Sequence, residues 1–419
     1  MAAPGTKKKA ASVKTSGGRI SIGEAELAQE SMEKKESKTA SSGQNRPSVA
    51  QLRGQINKSA GYEVAFDLQQ ENPSDVIDWI GTGSRWLDSI ICKGKIGGVP
   101  AGKIVEIAGL SSTGKSYLAC QIAKNAQQKG YLVVYFDSES AIDSHFMANI
   151  GINLEELIYV QAKSVEFVLE QIESFIDQGM DKILFIWDSL ALTPCETEIE
   201  GSFDPSTSMA VTPRILSRGF KKITQKIANN HCTLLVLNQL KTNITRSTAE
   251  ALTTPYVTPG GLAPTYAYSL RIWLTGRKAK DSFVYDSNGF RIGSEVKAKI
   301  EKSRFGTLGR ECSFKILWGA EDAIIQDEES WLPALMSIGK NDRLELNGSW
   351  YKLHFSDGTE VKFQSKDWIE KLKEPKFHSE VISLMDDLLI HRFAAKQGNA
   401  ANYYSLDDDG DEKISDGTE

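Results

Sequence analysis

Between Val76 and about Ala320, short apolar runs rich in β-branched residues alternate with segments that repeat every three to four positions. Read by period, the runs predict strands at Lys103–Ala108, Tyr131–Phe136, Lys182–Trp187 and Thr233–Leu237, and the spacing of Tyr117–Gln128 predicts a helix. Runs that stay apolar instead of alternating fit strands buried on both faces, so the pattern predicts an α/β core over 76–330 with a mostly parallel sheet covered by helices. Each run ends in a polar cluster. In open sheets of this kind ligands sit beyond the carboxyl ends of the strands, so the four ends are expected to converge on one site. The pattern then changes. A helix at Trp331–Ile338, three short strands at Leu344–Leu346, Trp350–Phe355 and Glu360–Phe363 with a turn at Asp357-Gly358, and further helices predict a small α+β lobe over 331–395. Ahead of the core, 49–75 carries a short amphipathic helix (Leu52, Ile56), an apolar patch (Tyr62, Val64, Phe66) and the polar stretch Gln69–Pro73. Such a segment either packs on its own domain or docks on a neighbouring protomer, and the pattern leaves both readings open.

Composition adds the ends. Of the 419 residues 40% are hydrophobic, enough for one large or two ordinary domains. Residues 1–48 are rich in Lys, Ser, Gly and Ala and predict a disordered basic arm; the first 22 carry Lys7, Lys8, Lys9, Lys14 and Arg19 and no acid. Residues 396–419 predict a disordered acidic tail, with seven acids from Asp407 onward against Lys413 alone. The net charge of -6 therefore hides a strong asymmetry. Asp407–Asp411 resembles a calcium loop, but the frame set by Gly410 places Ser405 at the first ligand position, which excludes an EF-hand. Five scattered cysteines without paired spacing fit free thiols in a reducing cytoplasm, and the five histidines form no ligand cluster, so no zinc is expected. No apolar run reaches the roughly 18 residues that span a bilayer. The N-terminus lacks a signal-peptide core, and its Lys/Ser/Ala bias leaves a transit peptide as the alternative to a plain arm.

The most specific motif lies behind the first strand. Gly109-Leu110-Ser111-Ser112-Thr113-Gly114-Lys115-Ser116, with Tyr117 opening the helix, fills every fixed position of the G-x-x-x-x-G-K-[ST] pattern between a strand and a helix. Backbone N–H groups of such a loop close around phosphates, Lys115 reaches the β- and γ-phosphates, and the Ser116 hydroxyl ligates Mg²⁺, so ATP with Mg²⁺ is expected. About seventy residues on, Lys182–Trp187 runs into Asp188, placed to orient the metal. Tyr131–Phe136 leads to Asp137-Ser138-Glu139, where Glu139 is the candidate to activate water, with a solvated loop acid as the plain alternative. Thr233–Leu237 ends in Asn238-Gln239, an amide suited to sensing a γ-phosphate. Arg214, Arg218, Lys221 and Lys222 fall at helical spacing on one face, fit either for phosphates or simply for solvent.

Taken in order, these motifs resemble a RecA-family recombinase, most closely a phage UvsX-type one, over about residues 50–395. The matching stretches are Thr82-Gly-Ser with Leu87-Asp88, the phosphate loop, Asp137-Ser-Glu139, Asp188-Ser189 with Ala191–Pro194, Asn238-Gln239, Gly260-Gly261 and Glu301–Arg304. The resemblance implies a RecA-like P-loop ATPase core, an N-terminal oligomerisation segment and a helical homo-oligomeric filament on single-stranded DNA that pairs it with duplex DNA. It implies that Asp143 and Phe146 lie against adenine, that Gln239 couples the γ-phosphate to the next loop, and that Lys302 and Arg304 reach the γ-phosphate of a neighbouring protomer. Two DNA loops follow, about Glu196–Val211 leading into Arg214–Lys222, and about Lys241–Gly261 including Lys241, Gly260 and Gly261. A single-strand-binding protein and a loading mediator are the further partners, in the cytoplasm of a bacterial or phage-infected cell. Thr265 stands where the bacterial pattern has a basic residue, and Arg304 where it has lysine. Strand alternation alone would put Lys302 and Arg304 on one face and Lys297 on the other. A ring-forming helicase-type motor is the alternative function, and a non-catalytic accessory paralogue is opposed by intact Lys115, Glu139, Asp188 and Gln239.

Overall fold

The computed structural model describes residues 47–70, 72–140, 142–201, 211–243, 255–276, 282–318, 325–338 and 341–390. The expected arm up to residue 46, the acidic tail, and the middles of both expected DNA loops lie outside them.

Ten strands form the main sheet: β1 Ile104–Gly109, β2 Leu132–Asp137, β3 Leu157–Gln161, β4 Ile183–Asp188, β5 Thr233–Gln239, β6 Leu270–Gly276, β7 Phe283–Tyr285, β8 Arg291–Ser303, β9 Glu311–Leu317 and β10 Ile325–Gln326. Their order is β10-β9-β8-β6-β1-β5-β4-β2-β3, with β7 on β8. From β6 to β3 all neighbours are parallel, while β7 to β10 add antiparallel strands at one side. The four predicted strands are present, each running further at its carboxyl end so that it closes on Gly109, Asp137, Asp188 or Gln239. These polar ends stay in the ladder because they are hydrogen-bonded: Asp137, 2% exposed, accepts the N–H groups of Glu139 and Ser140, both at 2.8 Å, and the Tyr159 hydroxyl at 2.8 Å.

Helices cover both faces. The helix after β1, Lys115–Gln128, turns Leu118, Ala119, Ile122, Ala123 and Ala126 onto β1 and β2, a spacing of three and four that makes one apolar stripe. On the opposite face the helices Val165–Asp177 and Val211–Asn229 pack Val168, Ile172, Leu216, Phe220 and Ile223 against Phe136, Phe185, Trp187 and Val236. Each fully buried side chain of this size contributes about 1.5–3 kcal/mol, so this layered core fixes the strand ends that carry the chemistry. Trp187, fully buried, keeps its indole N–H satisfied by Thr193 Oγ1 at 2.8 Å.

The segment 328–390 has a core of its own, in which Phe377 meets Phe363 and Trp368 edge to face beside Leu335, Leu353 and Leu384. Its strands are Leu344–Asn347, Trp350–His354 and Glu360–Phe363. Arg85, at the start of the helix Arg85–Ile91 packed beside the main sheet, joins it through Asp386 at 2.6 Å, and Trp86 packs in both clusters. The chain before Pro73 is a separate unit. There the helix Val49–Ala60 opens with a Ser48–Gln51 capping box and closes on Gly61 at φ 77°, and the Asn57 side chain clasps the backbone of Val64 and Ala65. Leu52 and Ile56 on it are exposed. Among the described residues no helix is long and apolar enough to cross a membrane.

Candidate active site and nucleic-acid interface

β1 delivers the chain into the phosphate loop at Gly109, and the following helix begins at Gly114. Ser112 and Gly114 both take left-handed backbone, φ 59° and 80°, the alternation that turns successive N–H groups inward to make an anion-binding nest. Gly114 is obligatory for a second reason: a Cβ there would lie 2.4 Å from Ile316 Cδ1. Lys115 folds back on the loop, its Nζ donating to the carbonyls of Gly109 at 3.3 Å and Leu110 at 3.1 Å. Partial burial lowers its pKa, while Asp188 and Glu139 oppose that shift.

The acids arrive from β2 and β4. Asp188 accepts two hydroxyls on the same oxygen, Ser116 Oγ at 2.7 Å and Tyr135 Oη at 2.7 Å. Burial raises its pKa, the two hydroxyls hold the shift down, and the charges of Glu139 and Asp137 add to it. Glu139 Oε1 accepts the Ser189 hydroxyl at 2.8 Å, and Oε2 takes no hydrogen bond among the described residues. Glu139, Asp143, Phe146, Asp188 and Gln239 line one cleft of about 730 Å³ with Ser111–Tyr117, so the sequence-predicted nucleotide residues come together around the phosphate loop. Asp143 caps the helix Ser144–Ile150 through the Phe146 N–H at 2.7 Å, and Phe146 meets the Tyr117 ring edge to face at 4.6 Å.

The same cleft is lined by Arg291, Ser294, Val296, Ile316 and Trp318, which the sequence reading did not find. They come from β8, β9 and, for Trp318, the residue just past β9, far along the chain, and β-strand alternation marks Val296 and Ile316 only as core. Arg291 lies 3.8 Å from the Phe283 ring centroid and 5.2 Å from that of Trp318. Tyr135 was likewise legible only as an apolar strand residue, yet its hydroxyl orients Asp188.

On another surface Arg214, Arg218 and Lys221, successive turns of one helix, line a groove with Gly260 and Leu262. Lys222 turns away and pairs with Glu173. Gly260 and Gly261 hold φ 100° and 80°, and a Cβ on Gly260 would sit 3.1 Å from Leu190 Cδ2, so the return of the second loop follows a path only glycine takes. Lys241 stands at the stem of that loop, in a two-stranded ribbon with Val257.

Lys302 and Arg304 are not near this chain's own phosphate loop. Their strand does not run unbroken: Arg271 pairs with Lys302 but Ile272 with Ile300, which makes Glu301 an extra residue. The bulge reverses the expected alternation. Lys302, opposite Arg271, joins Lys297 and Lys299, opposite Thr275 and Trp273, on one face; the expectation that Lys297 lies on the other face is corrected. Lys302 and Arg304 still converge, since Lys302 Nζ donates to Thr265 O at 2.6 Å and Arg304 to Tyr266 O at 3.0 Å, the carbonyls closing the helix Leu262–Ala267.

A family model described as the RecA N-terminal domain matches residues 48–322. The chain belongs to the RecA family. It is 29% identical over 356 residues to Protein RecA of Wolbachia sp. subsp. Brugia malayi (strain TRS), covering 85% of this chain and 91% of that protein. It is 31% identical over 342 residues to Protein RecA of Rickettsia bellii (strain OSU 85-389), covering 80% and 92%. As a RecA-family protein it is a DNA-dependent ATPase of homologous recombination and DNA repair, which uses ATP with a divalent metal and assembles as a homo-oligomeric filament on DNA. The donors present suit that metal: a serine hydroxyl and a carboxylate, held together at 2.7 Å, are hard oxygen ligands.

Proposed function

We propose that the RecA-family activity of this chain runs through Glu139 as the base that takes a proton from the attacking water, with Lys115 and the loop from Gly109 to Ser116 holding the phosphates and Tyr117, Asp143 and Phe146 framing the adenine. Ser116 and Asp188 would hold Mg²⁺, whose chemistry is to neutralise charge developing on the phosphate oxygens. Ser189, by donating to one oxygen of Glu139, fixes the rotamer and leaves the second oxygen for water. Gln239, at the mouth of β5, reads the γ-phosphate and passes its presence to the loop that follows. Arg214, Arg218 and Lys221 hold the DNA backbone at the groove by Gly260 and Gly261, with Lys241 at the stem of the second loop. Lys302 and Arg304 act on the nucleotide of the adjacent protomer. A single-strand-binding protein and a loading mediator, a cytoplasmic setting and the UvsX-type variant of the family complete the reading.

The observation that carries it is the convergence of Lys115, Ser116, Glu139, Asp188 and Gln239, from four different strand ends, on a single cleft. ATP hydrolysis with and without single-stranded DNA, followed by negative-stain imaging of the same sample, tests it. DNA-stimulated turnover on helical filaments is the expected outcome, and closed rings that unwind forked duplex would overturn it.

A further inference from the structure

Glu106 sits mid-strand in β1, three residues before Gly109, and is 1% exposed. A buried carboxylate left without a partner is strongly destabilising, so such a group persists only where its charge is answered. Both of its oxygens are engaged: Oε2 accepts Arg271 Nε at 2.6 Å, and Oε1 accepts Asn238 Nδ2 at 2.9 Å. Burial pushes its pKa up, and Arg271 and Asn238 offset the rise.

Neither partner stops at the carboxylate. Arg271 also donates to Thr258 Oγ1 at 3.0 Å. The Asn238 amide also donates to the Pro259 carbonyl at 3.2 Å, and its Oδ1 accepts the Gln239 N–H at 2.9 Å. The second loop leaves the sheet just after Gln239 and returns through Thr258, Pro259 and Gly260, so both of its ends are tied to a single buried charge. Across the ladder Arg271 is the register partner of Lys302. An apolar trio would fill the same space without the electrostatic cost, but it would have no direction; hydrogen bonds that one carboxylate accepts from two elements fix both in register.

We propose that Glu106 is a positioning residue which, acting through Asn238 and Arg271, couples the nucleotide site at Gln239 to the return of the second DNA loop at Thr258–Gly260. It rests on the roles proposed above for Gln239 and that loop. Coupling of this kind is reciprocal: if a nucleotide changes the affinity for DNA, the ratio of DNA affinities with and without it measures the coupling alone.

The test is the Kd for fluorescent single-stranded DNA with and without a non-hydrolysable ATP analogue, for the full chain, for Glu106→Gln, and for Glu106→Gln combined with Arg271→Met, which leaves no unpaired charge. The analogue's own Kd and the thermal midpoint are measured alongside. In the unmodified chain the analogue should tighten DNA binding. In the double variant that ratio should fall at least tenfold toward one, with analogue affinity within about twofold of the unmodified chain. A double variant that keeps the full ratio overturns the inference alone. A ratio that falls only in step with lost analogue affinity, or loss of the cooperative melting transition in both variants, also overturns it, because the network would then be a structural ion pair. An unmodified chain whose DNA affinity ignores the analogue overturns the functional reading as well.

Discussion

Arg304→Ala mixed with Glu139→Gln tests whether one chain completes another's active site. The backbone N–H of Arg304 donates to the Ser269 carbonyl at 3.0 Å, and that of Ser269 to the Ile104 carbonyl at 2.8 Å, so Arg304 is level with the first residue of β1. The phosphate loop leaves from the last, Gly109. Five steps of about 3.3 Å place the two about 17 Å apart along the strand, further than an arginine side chain spans. Within one chain the contact is therefore closed off, and each parent variant should be inactive: a cation supplied in trans contributes roughly 10³–10⁵ in rate, and a general base about 10²–10⁴. In a randomly mixed filament a site works when an intact Glu139 meets an intact Arg304. At equal proportions half the sites carry the one and half of their neighbours the other, giving about a quarter of the wild-type rate. The assay is steady-state ATP hydrolysis on saturating single-stranded DNA at fixed total protein while the mixing fraction varies; activity should trace a parabola with its maximum at equal amounts. A line at the level of the inactive parents, in filaments shown by two-colour labelling to be mixed, would refute action in trans.

Lys115→Ala should weaken ATP binding itself by at least about tenfold, read by equilibrium titration, whereas Glu139→Gln should keep ATP affinity and lose kcat; equal ATP affinity in the lysine variant would displace the phosphate-loop assignment. Removing one phosphate contact with Arg218→Ala should lower the slope of log K against log salt for single-stranded DNA by about 0.7, while Lys222→Ala, whose charge is already paired with Glu173, should leave the slope unchanged. Asp88, buried against Thr82 and within the field of Asp327, has its pKa raised from 3.8 to about 7. An acid with a raised folded pKa contributes stability that is complete below pH 3.8 and lost as pH climbs to about 7, so Asp88→Asn should flatten the fall in thermal midpoint across that same window; an unchanged profile would remove Asp88 as its cause.

The nucleotide site was legible because a phosphate loop is written in consecutive residues whose backbone does the binding. Asp188 and Glu139 could be placed because each closes or follows an apolar run, although the runs were read as ending one residue early: a hydrogen-bonded Asp137 or Asp188 extends the ladder where polarity alone suggests a loop. Residues that reach the cleft from β8 and β9 were out of sight, since nothing in Arg291 or Trp318 announces which strand lies beside the phosphate loop in space. The strand at Leu157–Gln161 was missed at the sheet's edge, where Ile158 and Tyr159 are exposed. Alternation failed at Glu301 because a bulge adds a residue without a sequence signature. Glu106 read as one polar interruption in an apolar strand, and its partners, Asn238 and Arg271, lie more than a hundred residues away.

The opposed positions of the phosphate loop and of Arg304 at the two ends of β1 also set a counting rule for the polymer. With Lys302 and Arg304 acting in trans as proposed, a row of n chains would enclose n − 1 finished sites, because the chain at one end would face no neighbour. Turnover per chain should thus rise with filament length, from about half its limit for a pair to about nine-tenths for ten chains. The unfinished terminal site would hold its nucleotide unspent, so one end of every filament would carry ATP longer than the interior does, and shedding of chains that follows hydrolysis would be slowest there.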